Sequence, residues 1–136
     1  MQECIFCKIV RGEIPCAKLA ETDKILSFLD VSPVNKGHAL VIPKEHYENL
    51  LELETEELTE CTEIIQNVAR AVVKVTGAEG FNVLQNNSEC AGQVVPHVHF
   101  HIIPRRPDDG FSFGWRQGSY DAGEMEALSV SIRELI

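Results

Sequence analysis

Between residues 55 and 75, apolar side chains recur at intervals of three and four: Leu58, Cys61, Ile65, Val68, Val72 and Val75. That is the period of one face of an amphipathic helix. Thr55 stands at a natural N-cap position, although Leu58 breaks the capping-box pattern. Glu56, Glu57 and Glu60 sit in the first turns, where the helix dipole favours acids, and Gly77 suits the stop. Elsewhere the apolar period shortens to two. Residues 17–21 and 24–30 read as strands joined by a turn at Thr22-Asp23, and 38–42 as a strand closed by Pro43. Residues 81–85 read as another strand, and the breaker-rich stretches 30–37 and 86–93 as loops. A short helical turn is predicted over 4–11, ended by Gly12 and Pro15, and a helix from about 122 to 135 near the C-terminus. Strands, one long helix, then strands again predict an α+β fold with an antiparallel sheet.

One run carries more than fold information. In Pro96-His-Val-His-Phe-His-Ile-Ile-Pro104, His97, His99 and His101 alternate with Val98, Phe100 and Ile102. A strand points successive side chains to opposite faces, so the imidazoles share one face and the apolar residues the other. A helix would step the histidines by about 200° and scatter them around its axis. Three readings fit such a row: a structural strand with surface histidines, a metal site with His-x-His ligands, or nucleophilic catalysis. In the last, one imidazole attacks and another donates to the developing anion. The residues alone do not separate the second from the third.

The 136-residue length suits one domain, and a chain this long needs no disulfide staples to bury a core. No apolar run approaches the roughly 18 residues that span a bilayer. The N-terminus lacks the basic-then-apolar order of a signal peptide. The five cysteines are an odd count that argues against a disulfide framework, so the chain is read as cytoplasmic. A net charge of −9 excludes long nucleic acid and anionic membrane as partners on electrostatic grounds. It leaves room for a small anion held by local cations, and Lys36, Lys44, Arg105 and Arg106 lie near the histidines in sequence. Arg105 and Arg106 are expected to be solvated unless they reach a phosphate. Cys4-x-x-Cys7 has the spacing of a zinc half-site; a redox pair would want a thioredoxin-like context absent here. Cys16, Cys61 and Cys90 are read as free thiols. Leu26, Phe28, Leu40 and Ile42 are candidates for an adenine pocket or for core, and Trp115 for a substrate, a partner subunit or its own domain.

The segment Gly92-Gln-Val-Val-Pro-His-Val-His-Phe-His-Ile-Ile-Pro-Arg105 resembles the signature of the histidine triad (HIT) nucleotide-binding proteins. Cys4–Pro15, Asp30–Pro33 and Gly37–His46 resemble that family's other segments in order and spacing. The likeness covers about residues 4–105, leaving 106–136 as a variable C-terminal segment of one domain over 1–136. It points to the zinc-binding, Hint-like branch.

The resemblance implies roles. His99 matches the nucleophile that attacks an α-phosphorus. His101 matches the residue that bonds the α-phosphate and leaving group, and His38 a supporting histidine from another strand. Asp30 matches the carboxylate that binds ribose hydroxyls, and Asn86 and Gln93 match polar residues of the phosphate site. Val94 stands where the family often carries a serine beside the leaving group, so one donor is lost there. Pairing of CxxC with two histidines, as also in galactose-1-phosphate uridylyltransferases, implies one structural zinc held by Cys4, Cys7, His46 and His97. The family's fold adds a dimer across which the sheet continues. The leading expectation is a purine nucleoside phosphoramidase acting on AMP or GMP amides through a nucleotidyl-histidine intermediate. Its rivals are a dinucleoside polyphosphate hydrolase, a nucleotidyltransferase, a catalytic zinc hydrolase, and a nucleotide-binding module with weak activity.

Overall fold

The computed structural model describes residues 3–136. Helix α1 (Ile5–Val10) precedes strands β1 (Lys18–Glu21), β2 (Ile25–Leu29) and β3 (Ala39–Pro43). Helix α2 (Thr55–Thr76) leads to β4 (Gly80–Gln85) and β5 (Phe100–Arg105), and α3 (Glu124–Arg133) follows. The five strands form one sheet, ordered β1-β2-β3-β5-β4, with every neighbouring pair antiparallel. The fold is α+β, as the pattern predicts.

The sheet has two apolar faces of different use. On one, Ile25, Ala39, Val41, Val98, Phe100 and Ile102 pack with Cys61, Ile64, Ile65, Val68, Ala69 and Val72 of α2. On the other, Leu26, Phe28, Leu40 and Ile42 pack with Phe6 of α1. Those four aliphatic and aromatic positions are therefore core, not an open base pocket. The alternation of the histidine run places Val98, Phe100 and Ile102 on the α2 side. Register pairs Leu40 with His101 and Val41 with Phe100, which turns the histidines to the α1 side.

The structure corrects several details. The sheet ladder begins at Phe100, so His97 and His99 precede the strand proper. β4 ends opposite Phe100, and pairing with β3 stops at Val41–Phe100 although β3 runs on to Pro43; Val98 N–H donates instead to the Tyr47 carbonyl at 2.8 Å. The N-cap of α2 is Glu54, in extended conformation and without a side-chain cap, so Thr55 is already helical. Val75 is 85% exposed. The packed face runs instead through Val72 to Thr76, whose Cγ2 would lie 2.7 Å from a Cβ at Gly37. Gly37 also has φ +100°, so only glycine lets the 30–37 loop lie against the end of α2. Gly77 closes α2 in left-handed conformation, as expected.

Arg105 is neither solvated nor aimed at a phosphate. Its guanidinium is bidentate to Asp109 (2.7 and 2.9 Å) and donates to Asn82 and to the Phe111 carbonyl. Asn35 donates to the same Asp109 and to the Pro104 carbonyl, which ties the 30–37 loop to the end of β5. Trp115 is 88% exposed, its ring tilted against Phe113 with centroids 6.3 Å apart, and α3 buries none of its residues. No helix among the described residues is long and apolar enough to cross a membrane.

Candidate active site

Two clusters meet along the residues 97–101, and hydrogen-bond partners assign the proton on each ring. The His99 Nδ1–H donates to the His97 carbonyl at 2.7 Å. A neutral His99 therefore keeps its Nε2 lone pair free. Its ring is 6% exposed and meets Phe6 edge-on, with centroids 5.1 Å apart. His38 Nδ1 accepts from the Val34 N–H at 3.0 Å, which places the His38 proton on Nε2. That Nε2–H faces His101 Nδ1 at 2.9 Å. His101 Nδ1 is then an acceptor, and the His101 proton sits on Nε2, free to donate to a substrate. Asp30 Oδ2 lies 3.7 Å from His38 Nε2, while its Oδ1 accepts from the Ser32 N–H.

Burial holds these rings neutral. It pushes His101 down to about 4, helped by its neighbours His99 and His38. It also lowers His99, against the raising effect of the His97 carbonyl, and lowers His38, against the pull of Asp30. The neutral imidazole is the form with a lone pair able to attack, and a neutral His101 keeps a defined donor.

Cys4, Cys7, His46 and His97 form the second cluster, with ligand atoms all within 4.8 Å of one another. His97 Nε2–H donates to the Pro43 carbonyl at 2.8 Å, leaving its Nδ1 lone pair toward the thiols. That Nδ1 lies 3.4 Å from Cys4 Sγ, 3.7 Å from Cys7 Sγ and 3.2 Å from His46 Nδ1. A tetrahedral ion with bonds of about 2.0 Å to nitrogen and 2.3 Å to sulfur spaces its ligands about 3.3–3.8 Å apart. Burial and the adjacent Cys4 raise the Cys7 thiol above its ordinary range, a penalty that a divalent cation reverses. The donor set and the carbonyl that orients His97 both fit a closed Cys2His2 metal site. Asp30, His38 and His101 also converge, but the Val34 N–H occupies His38 Nδ1. A metal on Nε2 would leave that ring without a proton, so His38 and His101 are a hydrogen-bonded pair with Asp30 alongside at 3.7 Å.

The polar loop stands beside these clusters. Gln93 accepts from the Ser88 N–H (2.7 Å) and donates to the Glu48 carbonyl (2.7 Å), so both ends of its amide brace the loop. The Asn86 amide donates to the Gly92 carbonyl at 3.4 Å. A cavity of about 560 Å³ opens along Val94 and Pro96, lined also by Glu48, Asn49, Ser88, Glu89, Gly92 and Gln93, with no lysine or arginine in its wall. Sequence reasoning missed Phe6, the Pro43 carbonyl and the Val34 N–H. Main-chain groups carry no residue signature, and Phe6 was visible only as one apolar residue inside the CxxC turn.

An antiparallel sheet thus sets a neutral histidine row beside a Cys2His2 group. The HIT domain model matches residues 11–108, and the chain belongs to the HIT family. It is 48% identical over 134 residues, 98% of each chain, to the adenosine 5'-monophosphoramidase hnt1 of Schizosaccharomyces pombe. A crystal structure of a HIT family member from Bacillus subtilis superposes with a TM-score of 0.93 at 43% identity, covering 99% of this chain and 98% of that one. A zinc-bound histidine triad family protein from Mycobacterium smegmatis superposes with a TM-score of 0.75 at 34% identity, covering 97% and 94%.

Proposed function

We propose that the protein hydrolyses purine nucleoside 5'-phosphoramidates, AMP amides first, through a nucleotidyl-histidine intermediate. The observation that carries this reading is the 2.7 Å bond from His99 Nδ1–H to the His97 carbonyl. It leaves Nε2 of a buried, neutral ring as the attacking lone pair. In the first step Nε2 bonds the α-phosphorus, the P–N bond breaks, and the amine takes up one proton. In the second, water attacks phosphorus, the N–P bond to His99 breaks, AMP leaves, and one proton returns to solvent. His101 Nε2–H donates to a non-bridging phosphate oxygen in both steps, its tautomer set by His38. Asp30, beside His38, accepts from the ribose hydroxyls, while Asn86 and Gln93 shape the phosphate loop. The hnt1 relative, named an adenosine 5'-monophosphoramidase, supports the same substrate class.

The cavity wall favours an amine over a polyphosphate as leaving group. Glu48 and Glu89 line it beside Val94, while Arg11 lines the adjoining cavity that shares Glu48, Val94 and Pro96, so a polyphosphate departing past Val94 meets two like charges. Cys4, Cys7, His46 and His97 would hold zinc; four protein ligands leave no open position, so its contribution is structural. Pairing of two copies through the free edge of β4 would continue the sheet and cover Phe81 and Val83, which are 48% and 47% exposed.

The test is AMP release from an AMP–amine phosphoramidate and from diadenosine tetraphosphate, side by side, with His99→Ala as control. Faster phosphoramidate cleavage lost in the variant, with α-32P label trapped on the wild-type protein, is the expected result. Faster tetraphosphate cleavage, or activity that survives in His99→Ala, overturns it.

A further inference from the structure

The peptide unit between His97 and Val98 has two occupied ends. Its carbonyl accepts the His99 Nδ1–H at 2.7 Å, and its N–H donates to the Tyr47 carbonyl at 2.8 Å. A trans peptide is planar, so fixing the N–H end fixes the direction of the carbonyl at the other. Tyr47 is fixed in turn. Its hydroxyl donates to Oε1 of Glu57 at 2.7 Å, with Glu45 Oε2 a second acceptor at 3.2 Å. Glu57 lies in the first turn of α2 and is only 7% exposed, which is unusual for a carboxylate without a paired cation. Neither residue belongs to the histidine or thiol clusters.

The geometry points to Tyr47 and Glu57 as positioning residues for the nucleophile, holding the His97–Val98 peptide that sets the tautomer and ring direction of His99. The side chains act on the backbone: Glu57 anchors the Tyr47 ring, the Tyr47 carbonyl anchors Val98, and the His97 carbonyl orients His99. Without the anchor, the carbonyl loses its fixed direction, and His99 samples the tautomer with its proton on the attacking nitrogen. The cost falls on turnover, because the ground-state contacts to nucleotide come from other residues. This inference rests on the nucleophilic role proposed for His99.

Tyr47→Phe alone leaves a buried carboxylate unsatisfied and risks unfolding, so the paired variant Tyr47→Phe/Glu57→Met, which removes both partners, is the primary probe. Phosphoramidate kinetics, bound zinc and the 15N signals of the His99 imidazole are measured on the full chain. The paired variant is expected to lose about tenfold in kcat with KM within about twofold, a small misplacement effect. It should retain zinc and show His99 as a mixture of tautomers, where the wild type shows Nδ1–H alone. Glu57→Gln keeps an acceptor for the hydroxyl and should restore wild-type kcat and the single tautomer. Unchanged kcat with an unchanged His99 spectrum overturns the proposal. So does a kcat loss that tracks lost zinc, or an equal loss in Glu57→Gln. A wild type without phosphoramidase activity would defeat the functional reading instead, and the His99 signals would still decide the positioning role.

Discussion

His38 Nε2, from the residue that precedes β3, and His101 Nδ1 of β5 stand 2.9 Å apart, joined by one hydrogen bond whose direction the Val34 N–H determines. The pair is thus a tautomer lock: one backbone donor decides which nitrogen of a second ring carries a proton. His38→Ala frees both His101 tautomers and strands the Val34 N–H. Loss of the fixed donor should cost about 10- to 100-fold in kcat, at or below the scale of a removed oxyanion donor. Phosphoramidate kinetics check it, and a kcat within about twofold of wild type would mean the lock has no catalytic use.

Burial of His101 makes stability depend on pH. Its folded value is about 4, below the ordinary 6.5, with burial the main cause. Between those values the unfolded chain binds more protons than the folded one, so stability rises with pH across that window. The contribution is complete above about 6.5 and is lost as pH falls toward 4; His38, also lowered by burial, adds in the same direction. Thermal melts from pH 7.5 to 4.5 should fall less steeply for His101→Gln than for wild type. Parallel curves would show that His101 does not titrate on unfolding.

The sheet, the long helix and the sharing of one face by three histidines were legible because each is a periodicity. The same period could not reveal that the ladder starts only at Phe100, since that depends on where pairing with β3 and β4 stops. Arg105 shows the second limit. Its partners Asn82, Asp109 and the Phe111 carbonyl come from two separate segments, so its structural role depends on tertiary contact alone. Gln93 shows a third: the resemblance marks the position, but only coordinates show its amide spanning Ser88 and Glu48.

Metal removal should act on stability before chemistry. His97 belongs to the thiol cluster, yet its carbonyl holds His99, so the candidate metal site and the proposed nucleophile share one residue. Cys4→Ser should reduce bound zinc and lower Tm by several degrees, at about 3–5 °C per kcal/mol for a chain of this length. Chelation of wild type should inactivate slowly, in step with loss of near-UV circular dichroism. Immediate loss of turnover in a still-folded protein would instead indicate a metal that takes part in the reaction.

Asp30 is 21% exposed at its side chain and, among the described residues, accepts only one donor at hydrogen-bond distance, the Ser32 N–H. Oδ2 is therefore available to a diol. Asp30→Ala should weaken AMP binding by about tenfold, the scale of a charge-assisted hydrogen bond. Binding of 2',3'-dideoxy-AMP should change by less than about twofold, because that ligand never used the carboxylate. Isothermal titration with both nucleotides in both proteins decides it, and equal losses would remove the ribose role.

The acidic wall beside Val94 makes the most discriminating prediction, because it separates two leaving groups of opposite charge. Glu48 and Glu89 are exposed, and neither side chain bonds a histidine of the site, so replacing them leaves the chemistry in place. An amine leaving group is neutral or cationic as it departs; a nucleoside polyphosphate carries several negative charges. At the surface each charge–charge contact is worth about 0.2–1 kcal/mol, so two reversals from −1 to +1 sum to about 0.8–4 kcal/mol, about 4-fold or more in relative rate. Glu48→Lys/Glu89→Lys should therefore raise kcat/KM for diadenosine tetraphosphate relative to an AMP–lysine amide by about tenfold, and less at high salt. A ratio that does not move would show that the leaving group exits elsewhere, and that the carboxylates of this wall play no part in choosing it.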